Sequence, residues 1–140
     1  MTRDDLLAEA WSWARTPFVW QASLKGVGAD CKGFVWGVAR ALGLPEAQSA
    51  FASIADYRRR VPVETLKEGL RATFAPGSCA RGDLLLLRYR GRDQHLAFHA
   101  GDVILHTYPE GPKCVIQSPL PAAFDLWPLV SAWRFASLEA

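Results

Sequence analysis

The chain has 140 residues and a formal net charge of +2 at pH 7, and half of its residues are hydrophobic. These values fit one globular domain, residues 1–140, that is long enough to bury a core. The weak net charge gives no footprint for direct nucleic-acid binding. No apolar run reaches the ~20 residues that span a bilayer, so membrane insertion is not expected.

The three cysteines are Cys31, Cys79 and Cys114. An odd number at irregular spacing does not indicate a disulfide framework, and we do not expect a Cys79–Cys114 bond. The absence of a C-x-x-C pair argues against a structural zinc site. The N-terminal residues carry both signs of charge and lead into an amphipathic pattern, which is not typical of a secretory signal.

The first half of the chain is predicted to be helical. Apolar residues at helical spacing predict a helix over 4–14 that ends before Pro17, with a core-facing stripe of Leu6, Leu7, Ala10, Trp11 and Ala14. A second helix is expected to begin at Cys31, with Asp30 as its N-cap and Gly43 after its end. One or two further helices are predicted over 51–74, broken near Pro62. The basic run 58–60 is interpreted as a solvated helix face.

The pattern changes to strands after Pro76-Gly77. The predicted strands are Leu84 to Tyr89, Gln94 to His99, Val103 to Tyr108, Lys113 to Ser118 and a last, short one over Trp133 to Phe135. Helices followed by antiparallel strands indicate an α+β fold.

Cys31 is the first candidate for chemistry. A thiol at the start of a helix feels the positive end of the helix dipole and unsatisfied N–H groups, which favour the thiolate. The same N–H groups could stabilise an oxyanion. The alternative is a cysteine packed as a small hydrophobe. The flanking Asp30 and Lys32 argue against that alternative, because they make the surroundings polar.

The three histidines, His95, His99 and His106, fall within 12 residues of the strand region. A hairpin that turns near Gly101 would bring His106 close to His95, so that their rings touch, and would leave His99 near the turn. This is the geometry of a base held in its working tautomer by another group. For His95 and His106, the residues alone leave functional and structural roles open. His99 is interpreted as a turn or exposed histidine.

A cysteine at a helix start followed by a histidine on a strand is the order of nucleophile and base in papain-like enzymes. Zinc bound by Cys31, His95 and His106 is an alternative, but no fourth ligand presents itself.

Several blocks of the sequence resemble the NlpC family of cell-wall cysteine peptidases, in order from about Ala8 to Ser118. They are Thr16 to Trp20, Gly28 to Val35, Gly82 to Leu87, His95 to His99 and Val103 to Tyr108. The block Gln21 to Gly28 is similar to tail-associated peptidases of phages and gene transfer agents, which are phage-like particles that carry host DNA.

The resemblance implies a papain-like fold and a Cys-His-His triad. Cys31 would attack the peptide carbonyl, His95 would carry the proton and His106 would orient His95. The implied substrate is a peptidoglycan stem peptide, cut between D-glutamate and a diamino acid, with no cofactor and no metal. Asp30, Phe18, Trp20 and Lys32 would contact the substrate.

The tail likeness further implies partners among tail or baseplate proteins. The chain would be made in the bacterial cytoplasm, assembled into an extracellular phage-like particle, and act at the cell wall or periplasm during DNA delivery.

Three departures from the family pattern concern the substrate pocket. Phe18 replaces a tyrosine, Lys32 replaces a serine, and Gln21-Ala22 replaces a pair of glycines. Phe18 and Lys32 favour an alternative in which the chain is a structural tail-tip component with a weakly active or inactive peptidase fold. An acyltransferase or amidase on the same fold is a third interpretation, because other acceptors can resolve a thioester.

Overall fold

The computed structural model describes residues 1–48, 51–52 and 61–139. The helices are α1 (Arg3–Trp11), α2 (Cys31–Ala41), α3 (Val63–Thr73) and α4 (Ala123–Leu126), with a 3-10 helix over Pro45–Gln48. The strands are β1 (Ser23–Leu24), β2 (Gly28–Ala29), β3 (Ala75–Pro76), β4 (Leu84–Tyr89), β5 (Arg92–His99), β6 (Val103–His106), β7 (Ile116–Pro119) and β8 (Leu129–Arg134). No helix within these ranges has the length and apolar character to cross a membrane.

Strands β3 to β8 form one antiparallel six-stranded sheet in the order β3-β8-β4-β5-β6-β7. Strands β1 and β2 form a separate small hairpin just before α2. Strand β4 lies between β8 and β5, and its run of four leucines, Leu84 to Leu87, is fully buried.

The two faces of the sheet bury different clusters. Leu84, Leu86, Leu96 and Phe98 join the side chains of the N-terminal helices in the main core. The opposite face carries a smaller cluster, whose buried members are Leu85, Leu87, Ala97, Ile104, Ala123 and Trp127. The predicted α+β architecture, with N-terminal helices packed on a C-terminal antiparallel sheet, is therefore confirmed.

Helix α1 is shorter than predicted. It ends at Trp11, which is 40% exposed, and the core position belongs to Trp13 instead. The Trp13 indole N–H donates to the Glu9 carboxylate at 2.9 Å, and Arg15 adopts a left-handed conformation with φ of 69°. The chain thus leaves the helix before Pro17 can end it, and the prediction that Trp11 faces the core was wrong.

Helix α2 begins as predicted. The Asp30 side chain accepts from the N–H of Gly33, and the helix buries Phe34, Val35 and Val38 against the sheet. Gly37 has no room for a side chain, because a Cβ there would lie 2.2 Å from the Trp13 ring. The nucleophile candidate therefore stands on a helix start that is fixed by its cap and its packing.

The strand predictions hold in type and differ in extent. Strand β6 ends at His106, β7 begins only at Ile116, and the last strand, β8, is longer than expected and lies inside the sheet. The sequence of β8 shows little strand periodicity, so its full length could not be predicted. Hydrogen-bonded pairing with β4 over Leu129 to Trp133 accounts for that length. Of the helices predicted over 51–74, α3 begins directly after Pro62; residues 53–60, including the basic run, lie outside the described residues.

Candidate active site

A cavity of about 420 Å³ opens between the start of α2 and the hairpin of β4 and β5. The described residues that line it are Phe18, Trp20, Asp30, Cys31, Lys32, Val61, Leu66, Tyr89, Arg90, Arg92, Gln94, His95, Thr107, Tyr108, Pro109 and Glu110. Six of the seven site residues proposed from sequence belong to this lining. The seventh, His106, lies behind His95.

Cys31 is half-buried in the cavity wall and contacts strand β5. Its thiol donates to the main-chain oxygen of Gln94 at 3.9 Å. The pairing of β4 with β5 shifts at this point, because Leu87 faces His95 while Arg88 faces Asp93, leaving Gln94 as an extra residue. Bulges of this kind re-aim side chains next to functional sites. Here the bulge brings the strand residue that precedes His95 into contact with the thiol.

The environment of Cys31 works against a free thiolate. Burial raises the pKa of the Cys31 thiol to about 11, and the nearby Asp30 carboxylate adds to the effect. The Lys32 charge and main-chain groups of Leu96 and Lys32 act in the opposite direction without cancelling it. The main-chain group of Lys32 at the helix start lowers the pKa of the thiol, as expected, but burial and Asp30 outweigh it, so the thiol is neutral at pH 7.

Beside the thiol lies a buried ion pair. The Lys32 ammonium lies 3.2 Å from Asp30 Oδ2, and both side chains are almost inaccessible to solvent. The Asp30 carboxylate also accepts the N–H groups of Gly33 at 2.7 Å and Gln21 at 2.9 Å. The Asp30 carboxylate therefore connects the segment before β1 to the start of α2, and Lys32 is its ion-pair partner in the cavity wall.

His95 and His106 are in direct contact. His95 Nε2 lies 2.8 Å from His106 Nδ1, and both side chains are buried. The hairpin of β5 and β6 creates this contact, with Phe98 paired to Leu105. Because Nε2 of His95 is engaged by His106, Nδ1 is the ring nitrogen that remains for exchange of a proton at the cavity. The contact predicted from the histidine spacing is present.

Ser118 on β7 extends this pair into a chain of three polar groups. His106 Nε2 lies 2.7 Å from Ser118 Oγ. When Ser118 Oγ accepts a hydrogen bond from the N–H at His106 Nε2, His106 Nδ1 is unprotonated and accepts a hydrogen bond from His95 Nε2. His95 Nδ1 is then unprotonated, as a base requires. The reverse arrangement would place a proton on His95 Nδ1. The direction of the Ser118 hydroxyl therefore selects the tautomer of His95.

Aromatic rings surround the histidine pair. Trp127 is 4.7 Å from His106 and 6.1 Å from His95 between ring centroids, and Tyr108 stacks on His106 at 5.4 Å. Tyr89 lies 5.7 Å from His95. These rings come from β4, the loop after β6 and the end of α4. They remove water from the imidazoles and leave one side of His95 open to the cavity.

This burial keeps both imidazoles neutral. Burial, together with the charge that His106 would carry, holds the pKa of His95 well below its ordinary value of 6.5. Burial alone lowers the pKa of His106 to about 4. Both groups of the candidate acid–base pair, the His95 imidazole and the Cys31 thiol, are therefore uncharged at rest.

The other predicted residues are also located. Phe18 and Trp20 meet edge to face at 4.9 Å at one side of the cavity. His99 is half-buried away from the pair, and its Nδ1 accepts the N–H of Gly101 at 3.1 Å, which places it at the turn. Cys79 and Cys114 are free thiols. Among the described residues, no group of three or more His, Cys, Asp or Glu side chains is placed to hold a metal ion.

Sequence reasoning did not single out Ser118, Trp127 or Arg92. Ser118 was only the end of a predicted strand, although strand alternation puts it on the same face as Ile116, the partner of His106. Trp127 lies between the predicted strands Lys113 to Ser118 and Trp133 to Phe135, where no element was predicted. No local signal distinguishes Arg92 from the neighbouring arginines.

Comparison with known proteins supports the fold. The sequence matches no protein-family model and no curated protein sequence. Among solved structures it is similar to the NlpC/p60 domain of the peptidoglycan hydrolase SagA. The TM-score is 0.59 and the identity 20%, and the match covers 95% of this chain and 98% of that one.

A second similar structure is a lipoprotein-like protein of the NLP/P60 family from Staphylococcus aureus subsp. aureus Mu50. The TM-score is 0.58 and the identity 18%, over 99% of this chain and 42% of that one, so this chain spans less than half of its length. At these identities the likeness concerns the fold. The chain therefore has the papain-like fold of NlpC/p60 domains, with Cys31 and the histidine pair at one cavity.

Proposed function

We propose that the chain is a cysteine peptidase that hydrolyses peptidoglycan stem peptides. The observation that carries this proposal is the His95–His106 contact of 2.8 Å beside a cavity that His95 and Cys31, at the start of α2, both line. The structural likeness to a peptidoglycan hydrolase domain supports the choice of substrate.

In the proposed reaction, the Cys31 sulfur bonds to the carbonyl carbon while its proton passes to His95 Nδ1. The carbonyl oxygen becomes negative and is held by the N–H of Cys31 at the positive end of α2. Collapse of this intermediate breaks the peptide bond, and the leaving amine takes the proton from His95. Water, deprotonated by His95, then hydrolyses the thioester and regenerates the thiol.

His106 and Ser118 contribute by holding His95. Since both imidazoles are neutral at rest, the positive charge on His95 exists only during the reaction. The unprotonated Nδ1 that accepts the thiol proton requires His106 to accept from His95 Nε2. His106 is thus a positioning residue for the base.

Incubation of the purified chain with synthetic stem peptides tests this function. Native protein is expected to release two fragments, and Cys31→Ala to release none. Cys79→Ala is a matched control, because Cys79 is a free thiol that does not belong to the described cavity lining. Equal cleavage by Cys31→Ala and native protein would contradict the proposal.

We further propose that the bond cut joins D-glutamate to a diamino acid. We also propose that the domain works within the tail of a phage-like or gene transfer agent particle. Their support is the sequence likeness of the block Gln21 to Gly28. In addition, Leu24 and Val27 of this block are 58% and 65% exposed, an apolar surface suited to a tail or baseplate partner. We propose the corresponding location: synthesis in the bacterial cytoplasm, assembly into the particle and action at the cell wall or periplasm.

Particles that carry Leu24→Lys and Val27→Lys test this assignment. They are expected to lose the domain from the purified tail, while the soluble variant still cleaves peptides. Retention of the domain would contradict the use of this surface. Mass spectrometry of the cleavage products identifies the bond.

The second candidate, a structural tail component with little activity, is favoured by the Lys32–Asp30 pair and by the raised pKa of Cys31. Normal particle assembly and normal DNA delivery with Cys31→Ser would support it. Normal assembly with lost delivery would support catalysis.

A further inference from the structure

Arg92, the first residue of β5, is a charged side chain of the cavity that the proposed reaction does not use. It lines the same cavity as Cys31 and His95 and is half-buried. Its Nε atom is buried and has no hydrogen-bond partner among the described residues. A buried donor on a charged group is costly to leave unpaired, so the described residues do not supply the partners that this guanidinium needs.

The other charged groups of this lining are already paired. Lys32 lies 3.2 Å from Asp30, and Arg90 lies 2.5 Å from Glu110. The described lining therefore has three cations and two carboxylates, and both carboxylates are engaged by the other two cations. No carboxylate of the described residues forms an ion pair with Arg92, so its charge is available to an anion that enters the cavity.

The neighbouring arginine shows that this position is unusual. Arg88 on β4 is half exposed and lies 2.9 Å from Asp93, which also accepts from Lys67 at 3.0 Å. The nearest carboxylate in sequence to Arg92 is thus held by two other cations. This carboxylate belongs to Asp93, which follows Arg92 in β5. Successive side chains of a strand point to opposite faces of the sheet, so Asp93 and Arg92 lie on different faces.

We propose that Arg92 forms a carboxylate-binding subsite that selects peptides with a free carboxylate close to the bond that is cut. A guanidinium matches a carboxylate through two parallel N–H donors, which gives orientation as well as affinity. The inference rests on the proposed function and deepens it by defining the substrate class.

Stem peptides can carry such a group in a defined place. A glutamyl residue joined through its side-chain carboxyl keeps its α-carboxylate free, a few bonds from the carbonyl that Cys31 would attack. The same residue with an α-carboxamide has the same shape and no charge. Arg92 would therefore discriminate between the carboxylate and the carboxamide form of one peptide.

Two synthetic peptides that differ only in this group test the proposal. Native protein is expected to cleave the carboxylate form with a kcat/KM about tenfold or more above that of the carboxamide form. Arg92→Gln is expected to bring the two values together, and Arg92→Lys to keep part of the difference. Arg88→Gln removes the same charge outside the cavity lining and is expected to keep the full preference.

The peptide experiment separates this inference from the function on which it rests. Equal kcat/KM values with native protein, or an unchanged preference in a folded Arg92→Gln variant, would overturn the subsite while leaving the peptidase intact. If native protein cleaved neither peptide, the peptidase proposal would fail, and the subsite would be decided by a second measurement that needs no hydrolysis.

That measurement compares alkylation of Cys31 by iodoacetate and by iodoacetamide, read by mass spectrometry of the peptide that contains Cys31. An anion subsite is expected to raise the iodoacetate-to-iodoacetamide rate ratio at Cys31 several-fold above the ratio at Cys79 and Cys114 in the same molecule. Arg92→Gln is expected to lower the ratio at Cys31 alone. The same ratio at all three cysteines of the native chain would overturn the inference.

Discussion

The two walls of the cavity bury polar groups in opposite ways. At the start of α2, the Lys32–Asp30 pair is buried as two full charges, held by each other and by main-chain N–H groups. On the sheet side, His95 and His106 are buried as neutral rings among aromatic side chains, and burial lowers the pKa of each.

The two walls of the cavity therefore have different roles. The helix wall keeps a fixed, balanced charge whose main effect is to shape the start of α2. The histidine pair carries no charge at rest, and His95 must accept one when the thiol loses its proton. A charge that appears only during the reaction is stabilised by groups already in place, here His106 and the Ser118 hydroxyl.

The largest expected effect lies on the sheet wall. His106→Phe removes the acceptor that keeps His95 in its working tautomer, and kcat for stem-peptide cleavage is expected to fall about a thousandfold. His106→Gln keeps an acceptor and is expected to lose less. His99→Phe is the matched control, because His99 contacts the turn at Gly101 and should leave kcat unchanged. A similar fall in kcat in His106→Phe and His99→Phe would contradict a specific role of His106 in holding the base.

The next effect concerns stability on the helix wall. Lys32→Met leaves the buried Asp30 carboxylate without its cation and is expected to lower the free energy of unfolding by about 3 kcal/mol. Asp30→Asn combined with Lys32→Met removes both charges and keeps an acceptor for Gly33, so the double variant should regain most of that loss. Urea unfolding of the native protein, the two single variants Lys32→Met and Asp30→Asn, and the double variant gives the four free energies of this double-mutant cycle. Additive losses would mean that the two side chains act independently.

The resting state of Cys31 is tested by the pH dependence of its alkylation. With its pKa raised to about 11, the thiolate fraction at pH 8 is expected to make Cys31 react about 100-fold more slowly with iodoacetamide than in the urea-unfolded chain. The rate should keep rising with pH toward 11, since the reactive form appears only as the proton is lost. A rate that is already fast and flat near pH 6 would instead indicate a thiolate–imidazolium pair.

The smallest effect is expected at the end of the chain of polar groups. Ser118→Ala is expected to lower kcat about tenfold with little change in KM, because His106 loses the acceptor that fixes its tautomer. The acid limb of the pH–rate profile should move as well, which a purely structural role would not cause. Ser131→Ala removes a strand hydroxyl that contacts Trp133 instead and should leave both readouts unchanged.

Much of the site follows from local rules. The cap at Asp30 and the alternation in β5 depend on residues close in sequence, and the hairpin near Gly101 brings together two histidines only 11 residues apart. These features were predictable for that reason. The predicted length of α1 failed because Trp13 packs into the core, a tertiary contact that outweighs the helical spacing of Trp11 and Ala14.

The sequence by itself determined the order of helices and strands, the position of Cys31 at a helix start and the pairing of His95 with His106. Only the tertiary structure decided the protonation of these groups, because desolvation depends on side chains that arrive from distant elements, such as Trp127 after α4. For the same reason it alone placed Ser118 behind His106 and Arg92 in the cavity without a carboxylate partner among the described residues. Local sequence determines the position of a residue within its helix or strand, whereas tertiary packing determines which groups surround its side chain.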